Sequence, residues 1–197
     1  MSIYITEQVD VYNTERGLLM KVCAITGHRP SRFPFKDNED DAMCKKLKKN
    51  IKKELKYLYK KGVHTFWIGG AEGVDMWSAE LLIQLKSYEA YKDIKIMVAI
   101  PFEGHDKNWT EKNVRRLKNI IKYSEEVVVV NKNEGTKQQL YRKRNQYIVD
   151  KADCLLAVYH KKNITARSGT NMTLQIALKK GIPITVVDCS FCDEWND

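Results

Sequence analysis

A glycine-rich turn, Gly69-Gly70-Ala71-Glu72-Gly73, lies between a short run of β-branched and aromatic residues and a segment whose apolar residues recur at helical spacing. Glycines let backbone N–H groups approach a ligand closely, and a helix that begins after them adds the positive end of its dipole. This combination is typical of phosphate-binding turns. We therefore predict an anion site here, with Asp75 either contacting the ligand or capping the helix. A tight turn without a ligand is the alternative.

A second segment of the same kind is Ser168-Gly169-Thr170-Asn171, which precedes another helical pattern. Its hydroxyl groups can cap the helix or donate to an anion in front of it. Capping alone is again the alternative. Two helix N-termini that could each hold a phosphate favour a ligand with more than one phosphate group.

Two further polar loops follow predicted strands, namely Thr26-Gly27-His28-Arg29 and Pro101-Phe102, with Trp109 soon after the latter. Arg29 offers a planar, bidentate donor for a phosphate group. Trp109 either stacks on a base or packs within a lid. We include these residues among the candidates for ligand binding.

Glu72 is the sharpest candidate for chemistry. A carboxylate inside a phosphate-binding turn repels the phosphate unless it serves a sugar hydroxyl or an acid–base step. We therefore predict a catalytic role for Glu72, if the protein is an enzyme.

The elements that would position these residues alternate between strand and helix from Met20 onward. Strands are predicted over residues 21–26, 64–68, 94–100, 126–130, 154–159 and 182–187. Helices are predicted over 45–61, 110–123, 138–151 and 170–180, and another helix begins after Gly73. Strands separated by helices indicate a parallel sheet covered on both faces. The pattern predicts a Rossmann-like three-layer α/β sandwich with a mainly parallel sheet, whose ligand lies at the carboxyl ends of the strands.

Length and composition favour one domain. The chain has 197 residues, of which 43% are hydrophobic, enough for a single core. We predict an N-terminal extension at residues 1–20, the domain at 21–190 and a tail at 191–197. No run of about 18 apolar residues and no signal-peptide pattern is present, so we expect a cytoplasmic protein without a membrane span.

The cysteines indicate neither a disulfide framework nor a metal site. There are five, an odd number, and Cys23 and Cys154 fall in apolar strand patterns. Cys189 and Cys192 form one CxxC pair without a second pair or a suitably spaced His, so two thiols are a better interpretation than a zinc site. We predict no metal and no required cofactor.

The formal net charge of +9 is concentrated in a lysine-rich helix. Its apolar residues Met43, Leu47, Ile51, Leu55 and Leu58 recur at steps of three or four and form one buried stripe. The lysines are then a solvated surface, and a nucleic-acid partner is only weakly indicated.

The glycine-rich motifs match neither GxGxxG nor GxxxxGK[ST], which argues against an ordinary dehydrogenase or a nucleotide triphosphatase. The chain resembles the superfamily that joins the DNA-processing protein A and Lonely Guy families, called SLOG, and within it the YpsA-like proteins. The motifs that carry this resemblance are Thr26-Gly27-His28-Arg29-Pro30, Gly69 to Asp75, Pro101-Phe102, Arg144-Asn145, Ala152-Asp153 and Ser168-Gly169-Thr170.

The resemblance implies roles for individual residues. Lonely Guy proteins are similar in using an Arg eight residues before an Ala-Asp pair, which here is Arg144, so Arg144 is a second candidate catalytic residue and the adjacent Asn145 a ligand contact. Their catalytic Glu, three residues after a Gly-Thr pair, is replaced by Thr173. A hydroxyl cannot stabilise an oxocarbenium-like transition state as a carboxylate does, so this argues against the Lonely Guy reaction.

Taken with the anion sites, the resemblance predicts a protein that binds a small phosphorylated nucleotide or nucleotide sugar, such as ADP-ribose or an NAD derivative, and acts as a ligand sensor. Two alternatives stay open. One is an enzyme that cleaves an N-glycosidic bond, and the other is a single-stranded DNA-binding factor like the DNA-processing relatives. The sequence leaves the base, the turnover of the ligand, the pathway and homo-oligomerisation undetermined.

Overall fold

The computed structural model describes residues 20–132, 134–160 and 168–192, so most of the predicted extension and the tail from residue 193 lie outside the described residues. The strands are β1 (Val22–Gly27), β2 (Thr65–Ile68), β3 (Lys95–Ile100), β4 (Glu126–Val129), β5 (Cys154–Tyr159) and β6 (Ile184–Asp188). The α-helices are α1 (Ala42–Lys60), α2 (Val74–Lys86), α3 (Glu111–Lys122), α4 (Lys137–Asp150) and α5 (Gly169–Lys180). The described residues also form short 3-10 helices that the sequence pattern does not predict, at Pro30–Arg32, Glu89–Tyr91 and Ser190–Cys192.

The strands form one parallel sheet in the order β4-β3-β2-β1-β5-β6. This confirms the predicted Rossmann-like three-layer architecture. The chain builds outward from β1 to β4, and α4 then returns it to place β5 on the other side of β1. The strand order therefore reverses between β1 and β5, where ligands bind in open α/β sheets.

Two buried cores cover the faces of the sheet, because successive side chains of a strand point to opposite faces. In β1, Cys23 and Ile25 pack in the core that contains α1, α2 and α3. Ala24, between them, packs in the core formed with α4 and α5. Burial of each large aliphatic side chain contributes about 1.5–3 kcal/mol to the free energy of unfolding. The apolar residues of the strands therefore stabilise the sheet between the two cores.

The lysine-rich helix α1 has the predicted apolar stripe. Asp41 caps its N-terminus by accepting a hydrogen bond from the Met43 amide at 2.7 Å. The buried residues of the helix are Cys44, Leu47, Ile51, Leu55 and Leu58. Lysines such as Lys49 and Lys53 lie on the exposed side.

The packed unit extends to the last described residue. Cys192 is buried in the same core as β1. Cys23 and Cys154 lie opposite each other in the β1–β5 register, and burial raises the pKa of the Cys23 thiol. Within the described ranges, no helix combines the length and the apolar character needed to cross a membrane.

Candidate functional site

A cavity of about 320 Å³ opens beside the carboxyl end of β1, between one face of α4 and the N-terminal turns of α2 and α5. Many predicted site residues come together in its lining, from four separate segments of the chain. They are Thr26, Gly27, His28, Arg29, Ala71, Asp75, Arg144, Asn145, Ser168, Gly169 and Thr170. The cavity thus lies at the point where the strand order reverses, as expected for the carboxyl edge of a parallel sheet.

Sequence analysis missed several residues of the lining. Gln138, Tyr141 and Ile148 lie on α4, Ser31 and Arg32 lie in the 3-10 helix that follows β1, and Met172 lies on α5. A signal was present for α4, because residues three or four apart share one face of a helix. Tyr141 precedes Arg144 by three positions and Asn145 by four, so it had to lie on the same face.

Asp75 and Arg144 form a buried ion pair at the back of the cavity. Arg144 Nη1 donates to Asp75 Oδ2 at 3.4 Å, and both side chains are less than a tenth exposed. Burial raises the pKa of Asp75, and the adjacent guanidinium opposes that rise. The same oxygen of Asp75 accepts a hydrogen bond from the Ala71 amide at 3.2 Å. The anion held by the glycine-rich turn is therefore the carboxylate of Asp75 itself.

Two glycines of the turn are required by packing. A Cβ atom on Gly69 would lie 1.2 Å from Arg144 Nη1, so the guanidinium occupies the space that a side chain would need. Gly73 has φ +84°, and a Cβ there would lie 2.7 Å from the His28 carbonyl oxygen. Gly69, Gly70 and Gly73 do not belong to the cavity lining. Their predicted contact with a ligand stays a prediction.

The N-terminus of α5 forms the opposite wall. Ser168 Oγ accepts a hydrogen bond from the Asn171 amide at 3.1 Å and caps the helix. Capping is one of the two interpretations of this segment in the sequence. Thr170 Oγ1 lies 3.3 Å from His28 Nδ1. A Cβ atom built on Gly169 would meet no described residue within 4 Å. Since the first amides of a helix lack intrahelical partners, this end of α5 presents donors to the cavity.

Arginines dominate the electrostatics of the cavity. The Cζ atoms of Arg29 and Arg144 lie 5.3 and 5.8 Å from the centre of the Tyr141 ring, so Tyr141 is flanked by two guanidinium groups. Arg32 is the third arginine of the lining, and Asp75 is the carboxylate among the described lining residues. Because Arg144 neutralises Asp75, the net charge of the walls is positive, which suits an anionic ligand.

Several predicted residues lie outside the lining. Glu72 Oε1 accepts a hydrogen bond from Asn113 Nδ2 of α3 at 2.7 Å, which directs its carboxylate to α3. Trp109 packs edge-on against His105 with ring centres 5.3 Å apart. Phe102 packs edge-on against Tyr141, with ring centres 5.8 Å apart. Pro101 and Asn171 also lie outside the lining, so this group is near the cavity without forming its walls.

The residue in place of the Lonely Guy glutamate is turned inward. Thr173 is fully buried, and its hydroxyl donates to the Gly169 carbonyl oxygen at 3.0 Å. In the described part of the chain, His, Cys, Asp and Glu residues form no group of three that could hold a metal ion.

Comparison with known proteins places these features in a family. The model of the YspA SLOG family matches residues 23–191. A UPF0398 protein of Bacillus cereus strain G9842 is 29% identical over 163 residues, covering 82% of this chain and 85% of the relative. A UPF0398 protein of Bacillus cereus strain B4264 is 30% identical over 141 residues, covering 71% and 74%.

A solved structure shares the fold. It is a structure of DNA processing protein A from Helicobacter pylori, described for its single-stranded DNA-binding mode. Its TM-score against this chain is 0.55 and its sequence identity is 18%. The alignment covers 84% of this chain and 64% of that chain, so this chain spans less than two thirds of that protein. At this identity the likeness shows the architecture alone.

Proposed function

This chain belongs to the YspA SLOG family, and on that premise we propose that it binds a nucleotide or a nucleotide sugar in the cavity beside β1. ADP-ribose and NAD-derived molecules are the proposed ligands, and sensing such a ligand is the proposed role. A coarser property, binding of nucleotides or nucleic acid, fits both the family and the architecture.

The observation that carries the proposal is the charge of the cavity. Three arginines and the N-terminus of α5 converge on it, whereas its carboxylate, Asp75, is already paired with Arg144. A phosphate group in front of α5 would meet backbone N–H groups and a guanidinium fork. An anion is therefore the ligand that best complements these walls.

The remaining lining suits the organic part of such a ligand. Ile25, Ile148 and Met172 contribute apolar surface, and the Tyr141 ring can pack against a sugar or base. A volume of about 320 Å³ is at the lower end of the range of small-molecule sites, which is about 300–1,000 Å³.

Two measurements test the proposal. Mass spectrometry of small molecules released from the heat-denatured, purified protein should reveal a phosphorylated nucleotide derivative. Calorimetry should then detect binding of that molecule or of ADP-ribose, weakened in the variant Arg29→Ala. Absence of any bound nucleotide, together with no heat from ADP-ribose, AMP or NAD, would overturn the proposal.

Single-stranded DNA is the second candidate ligand, favoured by the shared architecture with the Helicobacter pylori protein and by the formal charge of +9. Binding of DNA through phosphate contacts is steeply weakened by salt, whereas a small nucleotide in a cavity is less affected. A gel shift with an oligonucleotide at low and moderate salt separates the two. Retention at moderate salt that survives Thr170→Glu would favour DNA on another surface.

A further inference from the structure

We propose that His28 couples ligand binding to proton uptake: an anion at the N-terminus of α5 causes His28 Nδ1 to gain a proton, which frees the Thr170 hydroxyl to donate to that anion. The inference rests on the proposed function, because it concerns the same cavity. It adds a specificity-determining residue and a pH dependence that the charge of the arginines alone does not provide.

The geometry places the two groups in direct contact. His28 follows β1 immediately, and Thr170 lies in the first turn of α5 with 5% of its surface exposed. The distance of 3.3 Å between Nδ1 and Oγ1 permits one hydrogen bond, whose direction depends on which atom carries the hydrogen. Both residues line the cavity.

Without a ligand the imidazole is held neutral. Burial lowers the pKa of His28, and the positive charge of Arg32 and the proximity of His160 lower it further. We assign the hydrogen of the neutral ring to Nε2, so that Nδ1 accepts and the Thr170 hydroxyl donates. Among the described residues, Arg32 and His160 act on the charge of the ring, and Arg29, Asp75 and Arg144 carry charge or titrate in the lining of the same cavity.

An anionic ligand reverses this arrangement. Its negative charge in front of α5 favours the imidazolium form of His28. An N–H bond forms at Nδ1 with a proton taken from the solvent, and no bond to the ligand is made or broken. The new Nδ1–H donates to Thr170 Oγ1, and the intact Thr170 O–H rotates towards the anion. One proton thus adds a positive charge and a directed donor at the site.

The sign of the pH dependence follows from linkage. His28 has a lower pKa in the free protein than in the complex, so the complex binds more protons between the two values. Affinity is greatest below the pKa of the free protein and falls as pH rises through the pKa of the complex. The decrease approaches about tenfold per pH unit within that interval.

Calorimetry with ADP-ribose on the full-length protein tests the inference. The phosphates of this probe are fully ionised throughout the neutral range, so protons taken up must come to the protein. Titrations near neutral pH in buffers of different ionisation enthalpy give the number of protons. We expect uptake approaching one proton for the unmodified protein and for the control His64→Gln, whose imidazole pairs with Asp93 away from the cavity. We expect none for His28→Gln.

A second pair of variants tests the hydroxyl. Thr170→Ser keeps the donor and should keep the affinity, whereas Thr170→Val should lose about tenfold, the value of one hydrogen bond to a charged group. Should His28→Gln fail to fold, the imidazole C–H resonances of the unmodified protein report the same event, because the His28 pKa must rise on addition of ADP-ribose.

The outcomes separate the inference from the proposed function. The coupling is overturned if ADP-ribose binds without proton uptake, if His28→Gln takes up as many protons as the unmodified protein, or if the His28 pKa does not change. Each of these outcomes leaves the proposed function standing. A protein that binds neither ADP-ribose nor the other nucleotides loses both.

Discussion

The N-terminus of α2 and the N-terminus of α5 lie at the same edge of the sheet and follow similar sequences of small residues. They differ in the groups that accept hydrogen bonds from their amides. In front of α2, the Ala71 amide donates to the carboxylate of Asp75, which also pairs with Arg144. In front of α5, Ser168 caps the Asn171 amide, and a Cβ atom on Gly169 would meet no described residue within 4 Å.

The difference shows that a glycine-rich helix start does not by itself specify a ligand. An internal carboxylate satisfies the same amides and dipole that a phosphate would satisfy. Around α2 the chain has supplied the anion, and the glycines admit Arg144 and the backbone of His28. That the ligand carries more than one phosphate group stays a prediction.

Removal of the internal anion should have the largest effect. Asp75→Ala leaves the guanidinium of Arg144 buried without its carboxylate, which costs about 3–5 kcal/mol of unfolding free energy. Urea denaturation measures this. Ser168→Ala, the matching change at α5, removes one cap and should cost only about 1 kcal/mol. Equal losses in the two variants would mean that the two helix starts are alike after all.

A negative charge at α5 should abolish ligand binding without unfolding the protein. Thr170→Glu occupies the proposed phosphate position, and we expect affinity for ADP-ribose to fall at least about a hundredfold, or about 2.7 kcal/mol. Gly70 has φ +60°, a conformation that residues with a side chain rarely adopt. Gly70→Asp should therefore mainly reduce the free energy of unfolding, by about 1–3 kcal/mol. Calorimetry and thermal melting give both values. Unchanged affinity in Thr170→Glu contradicts the site.

Charge on α1 should matter little for the cavity. Changing the exposed Lys49, Lys53 and Lys60 to Gln removes three charges from a solvated surface. Retention on polyanions should fall with the charge removed, while ADP-ribose affinity should change by less than about twofold, because exposed charges beyond about 10 Å are screened. Loss of nucleotide binding with an unchanged circular dichroism spectrum would instead move the functional surface to α1.

The smallest effect is expected in an assay for turnover. Thr173, which has no carboxylate, donates its hydroxyl to the Gly169 carbonyl oxygen. The carboxylate of Glu72 accepts from Asn113 and is directed away from the cavity. Overnight incubation with AMP should release no adenine above background, as judged by chromatography. Ready release of adenine would show that another carboxylate, such as Asp75 or a reoriented Glu72, acts in cleavage at the N-terminus of α5. The protein would then be an enzyme.

Much of the architecture was predictable from local patterns. Each predicted strand and α-helix is present with ends within a few residues, because apolar periodicity directly reflects which face of an element is buried. The loops of the cavity were also found, since carboxyl ends of parallel strands meet at one edge. Tyr141 and Gln138 could have been added from helical spacing alone, whereas the 3-10 helix Pro30–Arg32, which brings Arg32 to the cavity, had no comparable signal.

The sequence by itself determined the order of the elements, the parallel sheet and the edge at which polar residues gather, because these depend on short-range periodicity and on chain connectivity. Only the tertiary structure decided which helix start already holds a carboxylate of the chain itself. That outcome depends on Asp75 meeting Arg144 across 69 positions of sequence, and on His28 meeting Thr170 across 142. Contacts between residues so far apart are set by the packing of α4 and α5 against β1, which no local pattern encodes.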